Sequence, residues 1–268
     1  MRRIWFSAVL FALTFVVLAF LALPVIAIFT HVSPVTLVAQ FTNPVVVHAL
    51  VVSAKTTVAA QVLVLGAGTP AAWFLASRRF RGRALLITIV ELPLVLPPAV
   101  AGIGLLVAFG RMGLLHTSIP FTQAAVVLAV AFVAGPLYVR AGIAAFEAVD
   151  SRLLDASRTL GASPQKTFAR VALPLARAGL GAGAALSVAR GLGEFGATIM
   201  FAGSREGVTQ TLPLAIYDEF AVDFDVTLAI SALLVLMSAT VLISLKLASS
   251  WTFSLQRSTS RSEPSLST

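Results

Sequence analysis

Long apolar runs separated by short charged segments dominate the sequence. Between Arg3 and Lys55 there is no Lys, Arg, Asp or Glu residue, and Ile4 to Phe29 forms an almost wholly apolar run of 26 residues. Because a helix rises by about 1.5 Å per residue, this run exceeds the hydrocarbon thickness of a bilayer, about 30 Å. It is also longer than the apolar region of a cleavable secretory or twin-arginine signal, about 7 to 15 residues. We therefore predict an uncleaved first transmembrane helix.

The same apolar pattern recurs five more times along the chain. Glu91 interrupts the third run, and Arg190 and Glu194 interrupt the fifth. The pattern predicts an all-α polytopic membrane protein with six transmembrane helices. The predicted spans are residues 4–29, 56–76, 84–109, 123–139, 178–202 and 226–245. Between the first two, the segment from His31 to Lys55 is expected to form an external excursion with a short helix.

The basic residues predict the orientation. If the N-terminus is inside, all but four of the 19 Lys and Arg residues lie in cytoplasmic segments, the exceptions being Lys55, Arg111, Arg190 and Arg205. Cytoplasmic loops of membrane proteins carry such an excess, so we predict that both termini are cytoplasmic. Topology and anionic lipid then account for the net charge of +8, and nucleic acid is not an expected partner. Lys55 is expected to snorkel outward from the second span.

Composition excludes several functional classes. The chain is 58% hydrophobic and 11% charged, with a mean hydropathy of +0.97, whereas soluble domains carry about 25% charged residues. It has no cysteine, and its three histidines are widely separated, so no metal site is expected. Ser163 lies in a cytoplasmic loop without a histidine to activate it, which argues against an intramembrane enzyme. Lys166 lacks the glycines of a phosphate loop, so ATP hydrolysis would need another subunit.

The cytoplasmic segment 147–177 is predicted to form a helix, a glycine turn and a second helix. Apolar residues on one face of the first helix recur at spacings of 4, 3 and 4: Val149, Leu153, Ala156 and Leu160. Gly161 stands where a helix ends in the left-handed conformation. Ser163 and Pro164 are typical of an N-cap and first helical residue, and Pro174 is expected to end the second helix. This segment is interpreted as a docking surface for another protein, the alternative being an ordinary loop between spans.

A resemblance to a known family rests on this segment. Asp155-Ala-Ser157, three residues, Gly161, nine residues and Val171-Ala-Leu-Pro174 resembles the EAA motif of ATP-binding-cassette importer permeases. Asp, Ser and Val replace the motif's Glu, second Ala and Ile. In that family the segment is a coupling helix that docks on the ATPase subunit. The resemblance implies this role for a set of six residues: Asp155, Ala156, Ser157, Gly161, Ser163 and Pro174.

A second resemblance concerns the substrate. The segments Arg190–Gly203 and Thr209–Tyr217 are similar to the fifth span and following loop of molybdate transporter permeases, and Glu91–Pro98 fits their third span. The resemblance implies a type I (MetI-like) importer permease fold, with one transmembrane domain over 1–248. The segment 249–268 is rich in Ser and Thr and lacks the apolar residues needed to fold, so it is expected to be a disordered cytoplasmic tail. A permease for sulfate, thiosulfate or tungstate is the alternative within the class. An ion-driven secondary transporter is the alternative outside it.

The same resemblance implies a set of partners. It implies a homodimer in a prokaryotic cell membrane, two copies of an ATPase subunit, and a periplasmic or lipid-anchored extracellular oxyanion-binding protein. The chain itself would bind no cofactor, since ATP and Mg²⁺ would be used by the ATPase subunit.

Charges and prolines inside the spans are candidates for the translocation path. Arg190 and Glu194 are four residues apart and can pair on one helix face. A lone charge at membrane depth costs at least about 2.5 to 3.5 kcal/mol, so the pair either fixes helix packing or lies near an oxyanion path, or does both. The predicted path and gate residues are Glu91, Pro97, Pro98, Arg190, Glu194 and Thr198. Five glycines of the fifth span are expected to permit close helix approach: Gly179, Gly183, Gly191, Gly193 and Gly196.

The outer loop 203–225 is acidic. It holds one arginine and five carboxylates, which would repel a free oxyanion. Glu206, Asp218 and Glu219 are therefore predicted to contact basic residues of the binding protein, the alternative being simple solvation of the loop.

Overall fold

The computed structural model describes the backbone of residues 2–31 and 33–259 and the side chains of residues 6–7, 9–31 and 33–244. Within them the chain forms helices joined by turns. The helices are α1 (Arg2–His31), α2 (Pro34–Gln40), α3 (Pro44–Ser77), α4 (Arg83–Val95), α5 (Pro98–Phe109), α6 (Gln123–Glu147), α7 (Ser151–Thr159), α8 (Pro164–Thr167), α9 (Leu173–Leu192), α10 (Gly196–Ala202), α11 (Leu212–Glu219) and α12 (Phe224–Thr259). A π-helical turn over Phe168–Ala172 joins α8 to α9.

Five helical segments of the described chain are long and apolar enough to cross a membrane, or six if the bent pair α4 and α5 is counted as one span. This agrees with the predicted all-α fold. The second span is longer than predicted, because the side chain of Asn43 caps α3 by accepting a hydrogen bond from the N–H of Val45, with Pro44 in the first turn. Lys55 therefore lies inside α3, where it is exposed, and does not begin the helix.

The sixth span, Phe224–Ser244, agrees with the predicted 226–245, but its helix continues beyond the span. Helix α12 continues to Thr259, past residue 249, where the disordered tail was expected to begin. Residues 260–268 of that expected tail lie outside the described residues.

Helix α6 forms the centre of the bundle and packs along α3 and α9. Small residues allow the close approach: a Cβ on Gly142 would lie 2.8 Å from Ala72 Cβ, and one on Gly183 would lie 2.6 Å from Ala141 Cβ. Gly179 is equally close to Ala145, at 2.6 Å. In a bilayer, where lipid is as apolar as leucine, this kind of contact is what holds helices together.

Helix α1 stands apart from this bundle. Its most apolar stretch has no buried residue, and it contacts α12. We conclude that α1 anchors the chain in lipid and does not build the core.

The second cytoplasmic helix does not end at Pro174, so that prediction is wrong. The helix runs through the π-helical turn directly into the fifth span, and residues 164–192 form one membrane helix. The wider turn is closed by the Leu173 N–H, which donates to the Phe168 carbonyl five residues back. A π turn relieves the clash between a proline ring and the preceding turn, so the helix continues past Pro174.

Candidate functional site

The third span is broken at its two adjacent prolines. Helices α4 and α5 meet at an angle of 114° on either side of Leu96 and Pro97. Leu96 and Pro97 are extended, with ψ of 135° and 131°, as expected for residues that each precede a proline. The predicted break behind Glu91 is therefore present, and it turns the chain sharply at membrane depth.

The fifth span is also broken, which the prediction of one span over 178–202 did not include. Helix α9 ends at Leu192 and α10 begins at Gly196. The Glu194 carboxylate accepts a hydrogen bond from the Ala197 N–H at 2.7 Å, so it supplies one of the partners that the start of α10 lacks. Glycines at 191, 193 and 196 weaken the helix here, and this buried carboxylate stabilises the break.

The two breaks pack directly against each other. A Cβ on Gly196 would lie 2.7 Å from Pro98 Cβ, and one on Gly102 of α5 would lie 2.6 Å from the Ala197 carbonyl oxygen. Both distances are too short for any larger residue without a shift. Gly193 differs from the other predicted contact glycines, because it is exposed and nothing lies within 4 Å of a Cβ placed there.

Arg190 and Glu194 form an ion pair at the break in the fifth span. The Arg190 Nη1 lies 2.8 Å from Glu194 Oε2. The Glu194 side chain is 1% exposed, whereas that of Arg190 is 35% exposed. Both carboxylate oxygens of Glu194 thus have a partner inside the protein, while the guanidinium is partly exposed and has further N–H donors. A half-exposed guanidinium held in place by a buried carboxylate can bind an oxyanion.

Thr198, the other path residue predicted here, is buried. Its hydroxyl oxygen has no hydrogen-bond partner among the described residues, and the same holds for Ser187 on α9. In this conformation Thr198 belongs to the protein interior and does not line an open channel.

Glu91 has a partner that the sequence analysis missed. It lies on α4, and Oε1 is 3.5 Å from Arg140 Nε on α6. A second ion pair, between Arg83 and Glu147, joins the other end of α4 to α6. The pair further along α4 uses the earlier residue of α6, so the two pairs fix an antiparallel register between these helices. Their separation in sequence, 49 and 64 residues, gives no local signal of the pairing.

The break in the fifth span adjoins an uncovered apolar surface. Phe195 stacks on Tyr217 with ring centroids 5.3 Å apart. With Pro213, Ile216 and Phe220 these rings line a groove of about 300 Å³. Tyr217 is 65% exposed and Phe220 is 64% exposed, so nothing in the described part of the chain covers the groove.

The cytoplasmic segment forms the predicted helix, turn and helix. Helix α7 ends with Gly161 at a φ of +81°, and the side chain of Ser163 caps α8 by accepting from the Lys166 N–H at 3.4 Å. Ser157 contributes a hydroxyl contact to the buried Thr167 at 3.0 Å, which ties the two helices together. Asp155 is exposed and pairs with Arg158 at 3.0 Å.

The face predicted for docking is the side of α7 that carries Leu153, Ala156 and Leu160. Leu153 and Leu160 are 48% and 88% exposed, and with Ala156 and Pro174 they border a groove of about 440 Å³. Val149 does not share this face as predicted. It precedes the helix, whose N-cap is Asp150, and packs against the interior.

The acidic outer loop is held together by its own residues. Asp218 accepts hydrogen bonds from the Ser204 hydroxyl and from Gln210 Nε2, the latter at 2.7 Å. Glu206 lies 3.0 Å from His48 on α3. Glu219 is half-buried. Asp218 therefore has a structural role inside the loop that its position in the sequence did not indicate.

No group of three or more His, Asp or Glu side chains in the described part of the chain is arranged to hold a metal ion.

Comparisons with known proteins agree with this architecture. Residues 68–252 match the family described as "Binding-protein-dependent transport system inner membrane component". The chain is 45% identical over 235 residues to the molybdenum transport system permease protein ModB of Mycobacterium tuberculosis, covering 84% of this chain and 88% of that protein. It is 42% identical over 178 residues to ModB of Escherichia coli, covering 63% of this chain and 78% of that protein.

Solved structures share the fold. The MetNI methionine ABC transporter in an inward-facing conformation matches over 76% of this chain and 94% of the aligned transporter chain. The TM-score is 0.61 and the sequence identity is 22%. A bacterial ABC transporter involved in the import of the acidic polysaccharide alginate has the same fold over 92% of this chain and 96% of the transporter chain. The TM-score is 0.66 and the sequence identity is 16%. These likenesses confirm the predicted importer permease fold, and the sequence relatives confirm the resemblance drawn from the motifs. The chain belongs to the family of binding-protein-dependent transport system inner membrane components.

Proposed function

We propose that this chain is the membrane-spanning subunit of an ATP-driven molybdate importer in a prokaryotic cell membrane. The observation that carries the proposal is the half-exposed guanidinium of Arg190, held by the buried Glu194 where two broken spans meet. A fixed guanidinium attracts a tetrahedral dianion, and a single one binds it weakly enough for release, which conduction requires. Relatives 42% and 45% identical carry the name molybdenum transport system permease, which favours molybdate over sulfate or thiosulfate.

The translocation path would run between two copies of the chain. The uncovered groove at Phe195 and Tyr217 adjoins the Arg190–Glu194 break, and a second copy related by a two-fold axis would cover it. Because the chain has no cysteine, a disulfide formed by a single-cysteine variant can arise only from contact between the introduced cysteines of two copies. Tyr217→Cys should give a disulfide-linked dimer on oxidation. The control is Val35→Cys on helix α2, at a position that is 80% exposed against 65% for Tyr217, and it should stay monomeric on a denaturing gel.

Coupling to the ATPase subunits would occur through α7 and its glycine turn. A Cβ on Gly161 would meet nothing within 4 Å, so a larger residue there strains the backbone at φ +81° without disturbing the core. Gly161→Trp should leave the chain inserted and folded but reduce co-purification of an ATPase subunit and the ATP hydrolysis stimulated by a loaded binding protein. Normal values of both would contradict the coupling role.

The decisive experiment is uptake of labelled molybdate into proteoliposomes holding the chain with its ATPase subunit and binding protein. We expect ATP-dependent uptake, with tungstate competing and sulfate competing weakly. Uptake that persists without the ATPase subunit would indicate an ion-driven transporter. Preferential uptake of sulfate would leave the importer class intact and overturn the molybdate assignment.

The path residues are tested in the same vesicles. Glu194→Gln should lower uptake, because Arg190 loses its charged partner. A double variant with both residues neutral should restore assembly, because no unpaired charge remains, but not uptake. Normal uptake by the double variant would make the pair purely structural.

A further inference from the structure

A second cleft lies on the cytoplasmic side, away from the proposed path. It is bordered by the end of α3, the turn into α4, and the inner side of α7, and its volume is about 440 Å³. Charged and polar side chains make up the greater share of its lining, and apolar and aromatic side chains line the remaining part, which we call the floor. Trp73 and Phe146 meet edge to face with centroids 5.2 Å apart, and Val149 and Leu154 complete the floor.

The rim of the cleft carries three guanidinium groups. Arg83 is occupied by Glu147 and by the Leu75 carbonyl, to which its Nε donates at 2.7 Å. Arg158 is occupied by Asp155 at 3.0 Å. Arg79 is exposed, and among the residues whose side chains are described it has no carboxylate within 4.0 Å.

Further basic residues surround this rim. Arg78 lies over the ring of Phe74, 5.3 Å from its centroid, and Arg81 is exposed in the same turn. The cleft itself is lined by three guanidinium groups and two carboxylates, and these two neighbours add positive charge beside it, so the cleft favours an anion. Its charge is concentrated on the turn between α3 and α4.

The position of the cleft indicates which anion it meets. Helix α3 has 34 residues, so at about 1.5 Å per residue it is longer than the bilayer core and its end emerges at headgroup level. Trp73 lies four residues before that end, and tryptophan is enriched at this level of the membrane. An apolar floor beneath a basic rim suits a molecule with an acyl-bearing body and a phosphate, and basic pockets between membrane helices on the cytoplasmic side bind such headgroups.

We propose that this cleft binds the phosphate of an anionic phospholipid, with Arg79 as the principal contact. Arg158 and Asp155 line the same cleft and belong to α7. The bound lipid therefore supports α7 from its inner side while the outer side remains available for docking. Anionic lipid would thus favour the docking-competent position of α7.

The test is lipid retention by the full-length permease, measured by native mass spectrometry after equilibration with phosphatidylglycerol or phosphatidylcholine. We expect wild type to retain phosphatidylglycerol selectively. Arg79→Gln should lower that retention about fivefold, the equivalent of ~1 kcal/mol for one guanidinium near an anionic surface. The matched control is Arg177→Gln, which removes an equally exposed charge of α9 that does not line the cleft, and it should retain lipid as wild type does.

Three results would overturn the proposal. Equal losses in the two variants would indicate general surface charge. Displacement of the bound lipid by millimolar inorganic phosphate would indicate a site for the free anion. Unchanged lipid retention in Arg79→Gln, together with weaker co-purification of an ATPase subunit, would make the cleft a protein-docking surface. None of these measurements requires transport, so they stand apart from the molybdate assignment.

Discussion

The contact between the two broken spans predicts opposite effects for the same substitution at two positions of α5. In Gly102→Ala the new Cβ would lie 2.6 Å from the Ala197 carbonyl oxygen and 2.9 Å from Ala197 Cα, where ordinary contact begins at 3.4 Å. Both are backbone atoms of α10 and cannot rotate away. In Gly104→Ala the new Cβ would meet nothing within 4 Å.

The magnitudes follow from two terms. Replacing glycine by alanine inside a helix stabilises it by roughly 0.8 to 1 kcal/mol, and this gain is common to both variants. Overpacking a tight contact costs about 1 to 3 kcal/mol, and only Gly102→Ala has this cost. Gly104→Ala should therefore be as stable as wild type or slightly more stable, and Gly102→Ala should be less stable than Gly104→Ala by about 1 to 3 kcal/mol.

The assay is thermal unfolding of the purified protein in detergent, followed by uptake in proteoliposomes. For a chain of this size the difference corresponds to roughly 2 to 10 °C in melting temperature between the two variants. Uptake should fall in Gly102→Ala alone, because α10 moves relative to α5. Equal melting temperatures and equal uptake would refute the conclusion that the breaks are held in direct contact.

Two further predictions concern the same region. Gly196→Ala should destabilise the protein and lower uptake because its Cβ would lie 2.7 Å from Pro98 Cβ, whereas Gly193→Ala, in open space within the same break, should match wild type in both measurements. Glu91→Gln should change the free energy of unfolding by under about 1 kcal/mol, since the ion pair with Arg140 is substantially exposed. It should nevertheless lower uptake if α4 acts as a gate, and exchanging the two charges should restore uptake. Unchanged uptake in Glu91→Gln would remove the gate role.

Local signals in the sequence predicted the cytoplasmic segment well. Gly161 adopts the left-handed conformation, and Ser163 caps the next helix, because both features depend on a few neighbouring residues. The number and the apolar character of the spans were predicted for the same reason. Pro97 and Pro98 likewise mark the break in the third span by their own chemistry.

The features that the sequence did not reveal depend on distant contacts. Pro174 was expected to end a helix, but a π turn precedes it and the helix continues as α9, which packs along α6. The break after Leu192 requires a buried carboxylate to cap α10, and one-dimensional hydropathy cannot distinguish this arrangement from a continuous span. The pairing of Glu91 with Arg140 likewise depends on how α4 lies against α6.

Two roles were considered for Arg190 and Glu194: fixing helix packing and contacting an oxyanion. The structure favours the first role for Glu194 and the second for Arg190. Glu194 is 1% exposed, and its carboxylate pairs with Arg190 and accepts from the Ala197 N–H. A buried carboxylate paired in this way offers no donor to an oxyanion. Removing it would leave both a guanidinium and a helix start without their partner, which is a structural loss. Arg190 is 35% exposed and uses Nη1 on Glu194, and its fork of five donors leaves others free. Any direct contact with an oxyanion at this break therefore falls to Arg190, with Glu194 as its positioning residue.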